Sequence, residues 1–288
     1  MTEADRSSDD SLRATSRDSS LMKPLAWERS KLFDQEAERY DRYRPTYPDA
    51  LIDDLLGPTP EGLDVLDVGC GTGIASRLIA DRGANVLGVE VAPRMAEIAR
   101  SHGIDVETDA FEDWEPAGRT FDRVISAQAW HWLDLPVATN KAASVLRPGG
   151  RLGLIWSCGS PPDDLADALG EVYASALPSR VHTVFRGYGV NRSTDGRPAS
   201  PRELAAIAAV RDFDVPTETW FPWTHTYQRD EWLEQLLTRS DHTALEPGVQ
   251  QRLLEGIGAA IDDFGGSFAV HFETVLIAAT RFPWSQPG

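Results

Sequence analysis

The sequence predicts an α/β fold, a mostly parallel sheet with helices on both faces, and three observations carry that expectation. Apolar strands alternate with helical stretches at βαβ spacing from residue 63 to 156. The first strand, LDVLDVG, runs directly into a glycine-rich turn, VLDVGCGTG at 65–73. The chain then closes on one long apolar strand, SFAVHFETVLIAATR, at 267–281. Right-handed crossovers leave few ways to assemble such units.

Residues 1–22 are serine-rich, mixed in charge and poor in large apolar side chains, so they are expected to be a disordered tail. Met22, just before folded-looking sequence begins, is a candidate alternative start. Phe33, Ala37 and Tyr40 share one helical face, and the helix should end before YRPTYP. Pro48 suits the first turn of a second helix carrying Leu51, Ile52, Leu55 and Leu56. After LDVLDVG the pattern predicts helix 73–82, strand 85–90, helix 93–102, strand 104–107, strand 121–126, helix 134–146 and strand 151–156. Residues 163–177 read as helical. The Gly-, Pro-, Arg- and Ser-rich stretch 178–201 reads as a lid, a binding element or a disordered loop. A short helix at 202–209, a strand in FDVPTETWFPW, a helix presenting Trp232, Leu233, Leu236 and Leu237, and a helix at 248–264 precede the closing strand. The expected organisation is therefore a tail (1–22), N-terminal helices covering a cofactor site (23–62), a cofactor-binding core (63–157), a cap or lid insertion (158–210), and C-terminal strands and helices that complete the sheet (211–288).

The chain of 288 residues is 41% hydrophobic and 25% charged, an ordinary globular balance. Its formal charge of -17 would repel phosphates, which argues against nucleic acid or an anionic membrane as partner. Cys70 and Cys158 stand far apart, so no disulfide framework or metal site is expected. The sequence shows no signal-peptide core and no apolar run of the roughly 20 residues that a membrane span needs, and a cytoplasmic location is expected.

Chemistry concentrates at the glycine turn. Gly69, Gly71 and Gly73 between a buried strand and a helix let the backbone turn tightly and approach a ligand. Glu90, ending the next strand, can accept both ribose hydroxyls of an adenosine cofactor. Asp109 follows the third strand, where an adenine amino group would arrive. A nicotinamide dehydrogenase would share the turn and the acid, but Ile74 occupies the sixth position from Gly69, where a dinucleotide turn has a small residue.

As a set, VLDVGCGTG, GVEVAPRMAEIAR, the DAF-E run at 109–112, FDRVISAQAWHW and VLRPGGRLGLIW resemble the class I S-adenosylmethionine-dependent methyltransferases. F-x-x-x-A-x-x-Y-x-x-x-R-P-x-Y-P, from Phe33 to Pro48, is similar to the small-molecule, trans-aconitate methyltransferase-like (type 11) subgroup. The resemblance covers about residues 30–283. It implies a Rossmann-like seven-stranded sheet, with S-adenosyl-L-methionine as cofactor and S-adenosyl-L-homocysteine as product. It also implies that Gly69, Gly71 and Gly73 wrap the methionine part, that Glu90 holds the ribose with Val91 and Met95 beside it, and that Asp109 takes the adenine with Ala110 and Phe111 lining the ring. Ordinary helix packing is an equal account of Met95. Arg44 could pair with the cofactor's carboxylate and Tyr40 cap the donor pocket.

The segment AQAWHWLD follows the fourth strand, at the carboxyl edge where open α/β sheets bind ligands. Ala127 and Gln128 should face the methyl donor, and Trp130 or Trp132 could attract a sulfonium. His131 is a conditional general base, needed only if the acceptor must lose a proton. The alternative is that one tryptophan anchors a helix while His131 bonds a backbone carbonyl. Arg186 and Tyr188, among the arginines of 178–201, are candidate contacts to an anionic acceptor such as a carboxylic acid or phenol. The expected reaction is methyl transfer to a small organic molecule, at a carboxylate or hydroxyl. The competing enzyme reading is a non-methylating reaction on the same scaffold, such as a cyclisation.

Overall fold

The computed structural model describes residues 34, 36–177 and 200–283. The expected tail, Phe33, and the stretch 178–199 with Arg186 and Tyr188 lie outside the described residues. In chain order the elements are α1 (Ala37–Tyr43), α2 (Asp49–Leu56), β1 (Asp64–Val68), α3 (Ile74–Ala80), β2 (Asn85–Val89), α4 (Pro93–Ser101), β3 (Asp105–Glu107), β4 (Phe121–Ala127), α5 (Leu135–Val145), β5 (Leu146–Ser160) and α6 (Asp163–Ala176). Then follow α7 (Pro201–Ala208), β6 (Thr217–Gln228), α8 (Arg229–Leu236), α9 (Ser240–Thr243), α10 (Pro247–Asp263) and β7 (Ser267–Thr280).

One seven-stranded sheet runs β3-β2-β1-β4-β5-β7-β6. Strands β1 to β5 pair in parallel, while β7 is antiparallel to both β5 and β6. Leu66 of β1 lies between Leu87 of β2 and Val124 of β4, which explains the apolar run of a strand buried on both sides. The strand order reverses between β1 and β4, and this switch point places the ligand cleft outside their carboxyl ends.

Helix ends draw on both local sequence and distant partners. Asp134 caps α5 by accepting from Val137 N at 3.2 Å. Arg123, reaching from β4, donates to the Leu55 and Leu56 carbonyls at 2.9 and 2.7 Å, a cation placed where helix α2 leaves its last carbonyls unpaired. Leu51, Ile52, Leu55 and Leu56 are all buried, as their spacing predicts.

Two strands depart from the sequence reading because their limits depend on partners far along the chain. Strand β5 does not stop at Trp156: its Ser157–Ser160 end pairs with Thr274–His271 of β7 despite containing Ser, Cys and Gly. Strand β6 spans Thr217–Gln228 rather than 213–223, and Phe213 makes only an isolated bridge to Arg281. The 3-10 turn Trp130–Trp132 and the four-residue α9 were not expected.

The sheet separates distinct cores. Helices α2 and α3 cover one face around Ile155 and Leu276. Trp156 points to the other face, into a core shared with α5 and α7. The outer ends of β6 and β7 carry a third core against α6, α8 and α10. Trp130 belongs to the second of these. It is 0% exposed, with the Phe111 ring centroid 6.1 Å away, so it is a packing residue and does not face an acceptor. Truncation should accordingly be a stability defect: Trp130→Ala should lower unfolding free energy by about 3–5 kcal/mol in a denaturant titration. A loss under 1 kcal/mol would contradict its place in the core.

Candidate active site

The three glycines of the turn have left-handed φ values of 69°, 57° and 84°, but their surroundings differ. A Cβ at Gly69 would lie 2.5 Å from Ala129 Cβ, so this glycine lets the loop after β4 close against the turn. A Cβ at Gly73 would come within 3.3 Å of Ala99 on α4. Gly71 alone among them faces open space.

Glu90 ties two loops together. Its Oε2 accepts from Gly71 N and its Oε1 from Ala92 N, both at 2.8 Å. Burial raises its carboxyl pKa, and the backbone donors at Ala92, Gly71 and Val91 pull the other way. Each carboxylate oxygen retains acceptor capacity after these bonds. Asp109 is exposed, its backbone N donates to the Glu90 carbonyl at 3.2 Å, and its Oδ1 accepts from Ala110 N. Val91 and Ala110 are half-buried beside these acids. Two further residues expected at the cofactor are buried. Phe111 is 3% exposed, packed between Trp114 and Trp130, and Met95 is buried with Ala37 and Ala92.

At the end of β4, Ala127 pairs with Ile155, and Gln128 has a φ of 60°, which costs a non-glycine residue about 1–2 kcal/mol. Its backbone N bonds the Ile155 carbonyl, and its Nε2 donates to the Ser157 carbonyl at 2.9 Å. Gln128 thus clamps the strained turn to the extended end of β5. His131 bonds a side chain across the sheet edge. Its Nδ1 accepts from the Trp156 indole at 3.2 Å. An indole only donates, so the neutral ring carries its proton on Nε2, and the lone pair that a general base would use is occupied. Trp132 is half-buried, its ring 4.5 Å from that of His131.

Sequence reasoning passed over Asp67. It stands in the buried, otherwise apolar part of β1, Val65–Val68, and that break in the pattern was the available signal. Asp67 is buried, its Oδ2 accepts from Ser76 Oγ at 2.6 Å, and its Oδ1 has no hydrogen-bond partner among the described residues. Burial is the main cause raising its pKa to about 7, opposed by Ser76 and assisted by Glu90. At the C-terminal end of α1, Arg44 lies over the Tyr40 ring at 4.8 Å and donates from Nη2 to the Thr238 carbonyl at 3.0 Å. Its Nε is buried with no partner among the described residues. Both charges act on the buried Tyr47: burial raises its phenol pKa, Tyr40 and Asp67 add to the rise, and Arg44 opposes it.

A cation held by Asp67 would restore an ordinary carboxylate pKa. Because the ligand-free value is raised, this group favours the folded chain at low pH, and that contribution is lost as pH rises through about 7. Binding of an ammonium near pH 6 should therefore release about one proton. Calorimetry of S-adenosylhomocysteine in buffers of different ionisation enthalpy should show that release, and Asp67→Asn should abolish it. Buffer-independent heats for the unmodified protein would remove the assignment.

Residues 65–150 match the methyltransferase domain family. A methyltransferase of Mycobacterium bovis without an assigned substrate is 40% identical over 122 residues, covering 41% of this chain and 49% of that protein. A ubiquinone biosynthesis O-methyltransferase of Xanthomonas axonopodis is 35% identical over 177 residues, covering 57% of this chain and 69% of the relative. A crystal structure from Anaeromyxobacter dehalogenans, assigned as a type II methyltransferase, has a TM-score of 0.60 at 23% identity over 84% of this chain and all of its own, a likeness of fold. The chain belongs to the class I S-adenosylmethionine-dependent methyltransferases. It spans about half the length of the mycobacterial relative it matches. No described helix is long and apolar enough to cross a membrane, and no group of three potential metal ligands occurs among the described residues.

Proposed function

We propose that this chain transfers the methyl group of S-adenosylmethionine to an oxygen atom of a small organic acceptor, a carboxylate or hydroxyl. The observation that carries the reading is the pair of buried, unmatched groups of opposite charge, Asp67 Oδ1 and Arg44 Nε. Together they complement a zwitterionic amino acid: Asp67 would hold its ammonium group and Arg44 its carboxylate. Gly71 faces open space, Glu90 would accept the ribose hydroxyls, and Asp109 would meet the adenine amino group. When bound, the cofactor supplies a methyl group already activated by its sulfonium. The protein's own contribution is to hold donor and acceptor in line, which for well-oriented groups can be equivalent to effective concentrations of ~10⁵ M or more.

The neutral His131, with Nε2–H as a donor, suits an acceptor that arrives as an anion, for which no base is required. A carboxylate meets that condition better than an alcohol. Oxygen as the accepting atom is supported by the O-methyltransferase relatives. The described structure carries no feature that favours the cyclisation alternative.

Incubation with donor labelled in the methyl group, against a panel of carboxylic acids and phenols, should yield S-adenosylhomocysteine together with an acid-derived ester or a phenol ether. Turnover without S-adenosylhomocysteine would overturn the methyl-transfer reading. Glu90→Ala should weaken cofactor binding by about tenfold or more through its lost charge-assisted bonds. Unchanged affinity would remove the ribose role. His131→Ala should leave the shape of the pH–rate profile unaltered, and loss of its acidic limb would restore His131 as a base.

A further inference from the structure

A buried polar chain runs from the third core towards the donor side of the cleft. Tyr173 on α6 is 0% exposed, and its hydroxyl lies 2.7 Å from His242 Nε2. His242 is 1% exposed, with Nδ1 2.8 Å from Asp241 Oδ1. Arg239 grips the same carboxylate, Nε to Oδ1 at 3.2 Å and Nη2 to Oδ2 at 2.9 Å.

Donor and acceptor roles follow from the chemistry of the groups. An ionised carboxylate only accepts, so His242 carries its proton on Nδ1 and accepts the Tyr173 hydroxyl proton at Nε2. Burial lowers the His242 pKa and so favours this neutral form; Asp241 opposes the shift, while Arg239 and Arg44 support it. Although burial alone would raise the Asp241 carboxyl, bonds from His242 and Arg239 hold it well below the ordinary carboxylate range.

The chain pins a tight turn. The Arg239 carbonyl accepts from His242 N, Thr243 N and Thr243 Oγ1, while Thr238 N and Oγ1 both donate to the Gln235 carbonyl. The Thr238 carbonyl is left to accept from Arg44 Nη2. Packing on the other side of the turn is close: a Cβ at Gly256 of α10 would lie 2.7 Å from a methyl of Val172, the neighbour of Tyr173. A core otherwise built of Leu, Ile and aromatic side chains has no energetic need for such a chain, since apolar residues of similar volume are often as stabilising as a buried ionic network.

We propose that Tyr173 and His242 are positioning residues for the donor: through Asp241, Arg239 and the Thr238 carbonyl they aim the Arg44 guanidinium at the carboxylate of the cofactor's amino-acid end. The inference rests on the reading of Arg44 given above. It couples the cap helix α6 to donor recognition without any cap residue touching the cofactor.

Two probes separate the relevant contributions: S-adenosylhomocysteine, which has the amino-acid arm, and 5′-methylthioadenosine, which lacks it. Calorimetry on the full chain should show that Tyr173→Phe weakens S-adenosylhomocysteine binding about 5- to 10-fold, the loss of roughly one hydrogen bond's worth of alignment, and leaves methylthioadenosine binding unchanged. In an Arg44→Ala background, which itself weakens only the first probe, Tyr173→Phe should have no further effect. Equal weakening of both probes by Tyr173→Phe, or no weakening of either, would overturn the positioning role while leaving the Arg44 assignment intact. If the unmodified protein binds the two probes equally well, the Arg44 reading falls and this inference with it.

Discussion

The carboxylate of Glu90 is the constraint on which the cleft depends. Its two oxygens bind the backbone of the loop after β1 and of the loop after β2, so two turns at the carboxyl edge of the sheet are held by one side chain. A buried carboxylate is costly unless its lone pairs are satisfied, and these backbone donors supply part of that satisfaction. The same group therefore organises both turns, and in the proposed reading its remaining acceptor capacity would serve the ribose.

Around that constraint the site is built from local compromises. Gln128 holds a left-handed backbone angle at a strand end, and the Ile155 and Ser157 carbonyls of β5 keep it there. Asp67 is buried beside a single hydroxyl donor. Strain and unmatched charge of this kind persist only where surrounding structure over-determines them, and they gather at functional sites. Trp130, Phe111 and Trp114 pack as an aromatic core with no left-handed backbone, within which the Trp130 indole nitrogen is buried with no partner among the described residues.

The histidine flanked by tryptophans shows how neighbours far along the chain decide chemical role. His131 and Trp130 are adjacent in sequence, yet one packs into the core while the other accepts a bond from Trp156 on β5. That bond selects a tautomer, and the tautomer selects donation over proton abstraction. The proposed chemistry accordingly leans on orientation rather than acid–base catalysis.

The strand–turn–helix at 65–73, the acid closing β2, the apolar periodicity of α2 and the βαβ alternation were all legible in the sequence, because each is a local pattern whose cause lies within a few residues. Asp67 was legible only as a break in an apolar strand. The reach of β5 to Ser160, the seclusion of Trp130, Phe111 and Met95, the tautomer of His131 and the chain from Tyr173 to Arg44 were not legible. Each joins groups separated by some 20 to 200 positions. By itself the sequence determined the fold class and the turn, since those follow from local periodicity and backbone conformation, and its motifs pointed to the kind of cofactor by their resemblance to a known family. Only the tertiary structure decided which polar groups are left unmatched and which face a side chain takes, because burial and hydrogen-bond partners are properties of the packed chain.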